Sequence, residues 1–196
     1  MQEIVVTDPY RFVPPRDGAL VSRLLRMWLP RHLRKGHGVV AVALLVAGSA
    51  GIDLFGIYLL GSAILGPTFR PFVSLVGLYL LRQVCQALCS LPAPPGVIWR
   101  RPGFPSLLVT YGTSHDYFFS GHTAIAVLGA ISLSHAAPPW VGAAAWVVAS
   151  AEVLVVLVLR AHYTMDVITA ACAAWCAWSF GGAVAPAVDG WLAAVR

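Results

Sequence analysis

Apolar residues in this chain come in long unbroken runs, not at the alternating spacing of a strand or the one-sided spacing of a surface helix. Residues 39–66 carry a single charge, Asp53. As a helix rising about 1.5 Å per residue, such a run exceeds the roughly 30 Å hydrocarbon core of a bilayer. Pro67 and Pro71 break the chain, and a second run over 72–91 holds one arginine, Arg82. The string Leu91-Pro92-Ala93-Pro94-Pro95-Gly96 then opens a loop to Tyr117 that contains Trp99, Arg100, Arg101, Pro102, Tyr111, His115 and Asp116. Further runs follow over 118–136, 140–159 and 163–184, the first two separated by a Pro138-Pro139 turn.

Ahead of these runs, residues 19–34 read as an amphipathic helix with Leu20, Leu24, Leu25, Trp28 and Leu29 among arginines, suited to the membrane surface. The pattern predicts an all-α integral membrane protein. It has five transmembrane helices and an N-terminal interfacial helix; the count becomes six if 19–34 inserts. The expected organisation is a polar tail and basic helix over 1–37, a transmembrane catalytic domain over 38–187, and a short tail over 188–196. The first 17 residues are polar and proline-bearing, unlike a cleavable signal.

Composition agrees: 59% of residues are hydrophobic and 11% charged, against about 25% charged in a typical soluble domain. Of the 13 basic residues, Arg11, Arg16, Arg23, Arg26, Arg31, Arg34 and Lys35 precede the first apolar run, so the net charge of +5 is a membrane-flank pattern and not a nucleic-acid surface. Cys85/Cys89 and Cys172/Cys176 are spaced by one helical turn in apolar runs, where small core-packing residues are expected and a metal site is not.

The chemistry concentrates in two segments, Ser120-Gly121-His122 and His162-Tyr163-Thr164-Met165-Asp166. Two crossings separate them, so both enter from the same side of the membrane. His162 and Asp166 are one helical turn apart, which lets the carboxylate receive one imidazole N–H and leaves the other ring nitrogen as a nucleophile. His122 is suited to protonate a departing oxygen and then activate an acceptor. Arg82, Arg100, Arg101 and Arg160 are candidate cations for phosphoryl oxygens, and Ser120 and Gly121 at a helix start can offer N–H groups and a hydroxyl to an anion. Taken singly, Ser120 or Asp166 would be read as a helix cap. Gathered at one end of lipid-buried helices, these groups would cost several kcal/mol without a compensating function. His32 and His37 suit headgroup depth, and His135 lies at the far end of its run.

Two further acids sit inside apolar runs. Asp53 is expected to cap a break at 48–51 or to pair with a basic residue such as Arg82. Glu152 is a candidate partner for His122 or, like Asp116, for a cationic headgroup, with Tyr111, Tyr117, Phe118 and Phe119 as aromatic neighbours.

At these residues the chain resembles the membrane phosphatidic acid phosphatase type 2 superfamily, and more closely its sphingomyelin synthase-related branch. The segment from Asp116 to Thr123 is similar to that branch's G-D-x-x-x-S-G-H-T motif, with His115 where the motif has glycine. His162 to Val167 is similar to H-Y-T-x-D-V, and Arg82 with Leu91-Pro92 is similar to an R-x8-L-P-x-P segment. The broader superfamily's K-x6-R-P motif is met by Arg101-Pro102 but has Pro94 at its lysine position. The resemblance covers about 78–170. It implies a PAP2-like helical bundle, a triad of His122, His162 and Asp166, a phosphohistidine-type intermediate, and no metal or other cofactor.

The expected activity is transfer of a phospho-headgroup between lipids. The alternative is a lipid phosphatase or phospholipase C-like hydrolase that uses water with the same residues. A third class, a silent membrane scaffold or transporter, has no use for a histidine and a carboxylate one turn apart. Expected partners are a phospholipid or lipid-phosphate substrate and the bilayer, not nucleic acid; nothing in the sequence fixes an oligomeric state.

Overall fold

A computed structural model describes residues 39–89, 91–94, 97, 106–108 and 118–195. The expected tail and interfacial helix, and with them Arg100, Arg101, Tyr111, His115, Asp116 and Tyr117, lie outside the described residues. Five helices follow one another: α1 Val39–Leu65, α2 Arg70–Leu88, α3 Gly121–Ala136, α4 Pro139–Val158 and α5 Thr164–Val195. Four of them, all but α3, are long and apolar enough to cross a bilayer, so the chain is a multi-pass membrane protein.

The five expected spans are five helices, of which α3 falls short of the length that the other four have. Residues 118–120 are not helical, and α3 has only 16 residues, about 24 Å against a core of about 30 Å. This short helix is the centre of the bundle: from Thr123 to Ser132 every residue is buried. Its small residues let neighbours approach closely, as membrane helices require where lipid supplies no hydrophobic drive between them. Phe55 of α1 lies where a side chain at Gly129 would stand, and Tyr58 hydrogen-bonds Ser132 across the same interface at 2.8 Å.

α1 is continuous through the Gly48–Gly51 stretch where a break was expected. Leu65 ends it one residue before the expected boundary, and Pro71 sits in the first turn of α2, where its missing N–H costs no helical bond. α2 and α5 run antiparallel in close contact, with Ser74 against Gly181 and Arg70 against Gly182. α5 passes through Pro186 and continues to Val195, so the region expected as a tail is helical. Its last turns are docked: Asp189 accepts Thr68 Oγ1 at 2.7 Å and the Phe69 N–H at 2.9 Å. Arg70 lies over the Trp178 ring at 3.9 Å and donates to the Trp178 carbonyl at 3.3 Å.

Candidate active site

The two sequence segments meet where α3 and α5 begin. The Ser120 N–H donates to the Asp166 carbonyl at 3.3 Å, which ties the approach to α3 to the first turn of α5. Phe119, fully buried with φ of 80°, turns the chain into that approach. A non-glycine residue in the left-handed region is an uncommon backbone state, held here by the packing around the ring.

Ser120 is the N-cap of α3, its buried Oγ accepting the Thr123 N–H at 3.3 Å. The N–H groups in the first turn of an α-helix point out of its end instead of into its hydrogen-bond ladder, and Gly121 opens that turn here. Arg82 of α2 reaches this helix end: a methyl group at Gly121 would lie 3.6 Å from its Nε. His122, half-buried, stands within electrostatic range of both His162 and Arg82. The arrangement joins a helix N-terminus to a guanidinium beside an imidazole, a combination suited to an anion.

His162 sits in the turn between α4 and α5, 12% exposed, with Nδ1 3.6 Å from Oδ2 of the fully buried Asp166. That separation is an ion-pair distance, beyond hydrogen-bond length. The same Oδ2 accepts the Tyr163 N–H at 2.8 Å, which fixes the carboxylate at the helix start. Oδ1 of Asp166 is buried without a hydrogen-bond partner among the described residues. Tyr163 and Cys89 flank the carboxylate, and burial first, then the Asp166 charge, pushes the phenol and the thiol up from their ordinary values.

Arg160 ends α4 with φ of 52°, its N–H donating to the Leu157 carbonyl at 3.2 Å as the chain turns toward His162. The structure therefore gathers Arg82, Ser120, Gly121, His122, Arg160, His162 and Asp166 at one end of the bundle. Arg101 and Asp116 lie outside the described residues. Glu152 is set apart, buried between α4 and α1: methyl groups at Gly51 and Gly48 would lie 2.9 and 3.2 Å from its carboxylate oxygens. His135 is at the other end of α3, its ring tilted 44° against that of Trp178 at 5.2 Å between centres.

Asp53 takes a role that sequence reasoning missed. α1 has no break there for it to cap, and among the described residues its two oxygens accept the backbone N–H groups of Leu107 and Leu108, each at 2.9 Å. Partners that are peptide groups 54 and 55 residues away carry no side-chain signature. The available signal was the acid itself, in the middle of an apolar helix with a long non-helical loop to satisfy.

No curated protein and no solved structure matches the chain. Residues 114–182 match the family described as PAP2 superfamily C-terminal, a stretch that holds α3, α4 and the start of α5 and with them His122, His162 and Asp166.

Proposed function

We propose that the chain is a membrane lipid phosphotransferase of sphingomyelin synthase-like type, working through a phosphohistidine-type intermediate. The observation that carries this reading is the His162–Asp166 pair at 3.6 Å, beside His122 and a helix N-terminus, in a bundle of membrane-crossing helices. The match to the PAP2 superfamily C-terminal family supports lipid-phosphate chemistry of this kind.

With Nδ1 of His162 turned to Asp166, Nε2 is the ring nitrogen left to attack phosphorus. An N–P bond forms while the bond from phosphorus to the diacylglycerol oxygen breaks, and His122 gives that oxygen a proton. Asp166 stabilises the positive charge that grows on the His162 ring. Arg82, Arg101 and Arg160, with Ser120 and the Gly121 end of α3, bind the phosphoryl oxygens, whose charge is redistributed in the transition state. In the second half His122 takes the proton of a lipid hydroxyl, the new P–O bond forms, and His162 departs. Asp116 is the acid proposed for a cationic headgroup; Glu152, set apart between α4 and α1, is not.

The test uses purified full-length protein in lipid nanodiscs with head-labelled phosphatidylcholine, phosphatidylethanolamine or phosphatidic acid, each with and without ceramide or diacylglycerol. The expected product is a new phospholipid carrying the label, formed only with the added lipid hydroxyl. Free phosphate or phosphoalcohol in place of that lipid identifies water as acceptor and a hydrolase. No product from any donor overturns the enzymatic reading in favour of a scaffold.

A further inference from the structure

An apolar cavity of about 380 Å³ lies between α1 and α2, within the range of about 300–1,000 Å³ typical of small-molecule sites. Along α2 it runs from Gln83 to Phe72, about 16 Å of helix. Gln83 directly follows Arg82, the residue that reaches Gly121, and Ile125 of α3 lines the same cavity one turn below Gly121. The Gln83 end of the groove is thus the end nearer Arg82 and Gly121. The groove's walls are two helices that cross the membrane, and its lining is apolar apart from Gln83 and the Tyr79 hydroxyl.

One wall is not helical. Leu108 enters from the loop between α2 and α3 and packs where a side chain at Gly56 would stand, so glycine is required there for this approach. Non-helical backbone at the depth of mid-α1 needs acceptors that lipid does not offer, each unsatisfied group costing several kcal/mol. Asp53 supplies them, one oxygen to the Leu107 N–H and the other to the Leu108 N–H. The carboxylate therefore fixes how far Leu108 intrudes on the groove.

We propose that the α1–α2 groove holds one hydrocarbon chain of the lipid donor, and that Leu108, positioned by Asp53, sets which chains fit. This rests on the phosphotransferase reading and deepens it: the substrate is a long-chain lipid with its phosphate at His162 and one chain along α2. Leu108 is a specificity-determining contact and Asp53 a positioning residue that acts through it.

The proposal is tested by kcat/KM ratios between matched donors that differ only in chain. Leu108→Ala widens the groove and is expected to raise the dioleoyl-over-dipalmitoyl ratio by about 10-fold, the scale on which a methylene or two discriminates in an apolar pocket. Leu108→Trp fills it and is expected to lower long-chain over dihexanoyl turnover by about as much. Asp53→Ala should reproduce the Leu108→Ala ratio, and Asp53→Asn, which keeps one acceptor oxygen, should fall between. Ratios within about twofold of wild type in both Leu108 variants overturn the proposal, since a merely structural role lowers all donors alike. A second measurement stands apart from turnover: phosphatidylcholine with a diazirine in one chain, photolysed in nanodiscs with His162→Ala protein, should label Leu75 to Tyr79. Labelling confined to outward residues such as Trp191 overturns the groove assignment. If the wild-type protein turns over no lipid donor, the phosphotransferase reading fails while the labelling still decides the groove.

Discussion

α5 carries an aspartate near each end, and the two are used differently. Asp189 is filled: one oxygen takes the Thr68 hydroxyl and the other the Phe69 N–H, both hydrogen bonds of ordinary length. Asp166 is more deeply buried, yet only Oδ2 is engaged, by the Tyr163 N–H and by His162 at 3.6 Å, while Oδ1 has no hydrogen-bond partner among the described residues. A filled carboxylate fastens a helix end to a turn. A buried carboxylate with unused capacity is expensive unless it stabilises a charge that appears later, such as an imidazolium formed during attack on phosphorus. Asp53 belongs with Asp189, since both of its oxygens are occupied by backbone donors.

The largest expected effect removes the nucleophile and its partner. His162→Ala should abolish labelled-lipid transfer. Asp166→Asn, which can no longer orient or stabilise the ring in the same way, should lower kcat by roughly 10²- to 10⁴-fold, by analogy with the orienting acid of a catalytic triad. Both proteins should remain folded by thermal unfolding. Wild-type rates in His162→Ala on every lipid donor would remove the distinction between the two ends of α5.

Next in size is His122→Ala, expected to slow transfer from a diacyl donor by about 10²- to 10⁴-fold. The same variant should recover most of that loss on a p-nitrophenyl phosphodiester, whose leaving oxygen departs without a proton. An equal deficit on both donors would mean that His122 acts on the incoming group or on binding, and not as the acid of the first step.

The distance between what was legible and what was not follows the kind of partner each residue has. The edges of α1 and the starts of α2 and α4 agree with the sequence reading to within about two residues, because prolines and the change in polarity mark them. The site segments were legible because His162 and Asp166 stand four residues apart, although the structure joins them from a turn to the first turn of α5 and not along one helix. The last third of α5 was not, because Pro186 reads as an end while the docking of Asp189 on the α1–α2 turn, more than 100 residues away, carries the helix past it. α3 begins later than the 118–136 run because its approach, 118–120, is bent away from helix at Phe119. Apolar composition locates a segment in the membrane interior without fixing its backbone conformation there.

Asp189→Ala tests the structural half of the comparison. It leaves the Thr68 hydroxyl and the Phe69 N–H without their acceptor, at a cost of about 1–3 kcal/mol. The loss should appear as a lower unfolding temperature in detergent, with the rate per folded molecule near that of wild type. A large fall in kcat at unchanged stability would mean that the far end of α5 is coupled to the chemistry.

Ser120→Ala is the smallest change expected and separates two uses of one hydroxyl. Its Oγ already accepts the Thr123 N–H, so loss of the cap alone should cost about 1 kcal/mol of stability. The hydroxyl hydrogen remains able to donate to a phosphoryl oxygen at the same time, because a serine can accept and donate together. If capping is its whole role, kcat/KM should stay within about twofold of wild type, while an additional bond to the phosphoryl group should lower it by about 10-fold, corresponding to roughly 1.4 kcal/mol in the transition state. Comparison with Ser120→Thr decides between them, because threonine keeps both the cap and the donor: a deficit in alanine that threonine restores in rate as well as in stability assigns the hydroxyl to the phosphate, and one restored in stability alone assigns it to the helix.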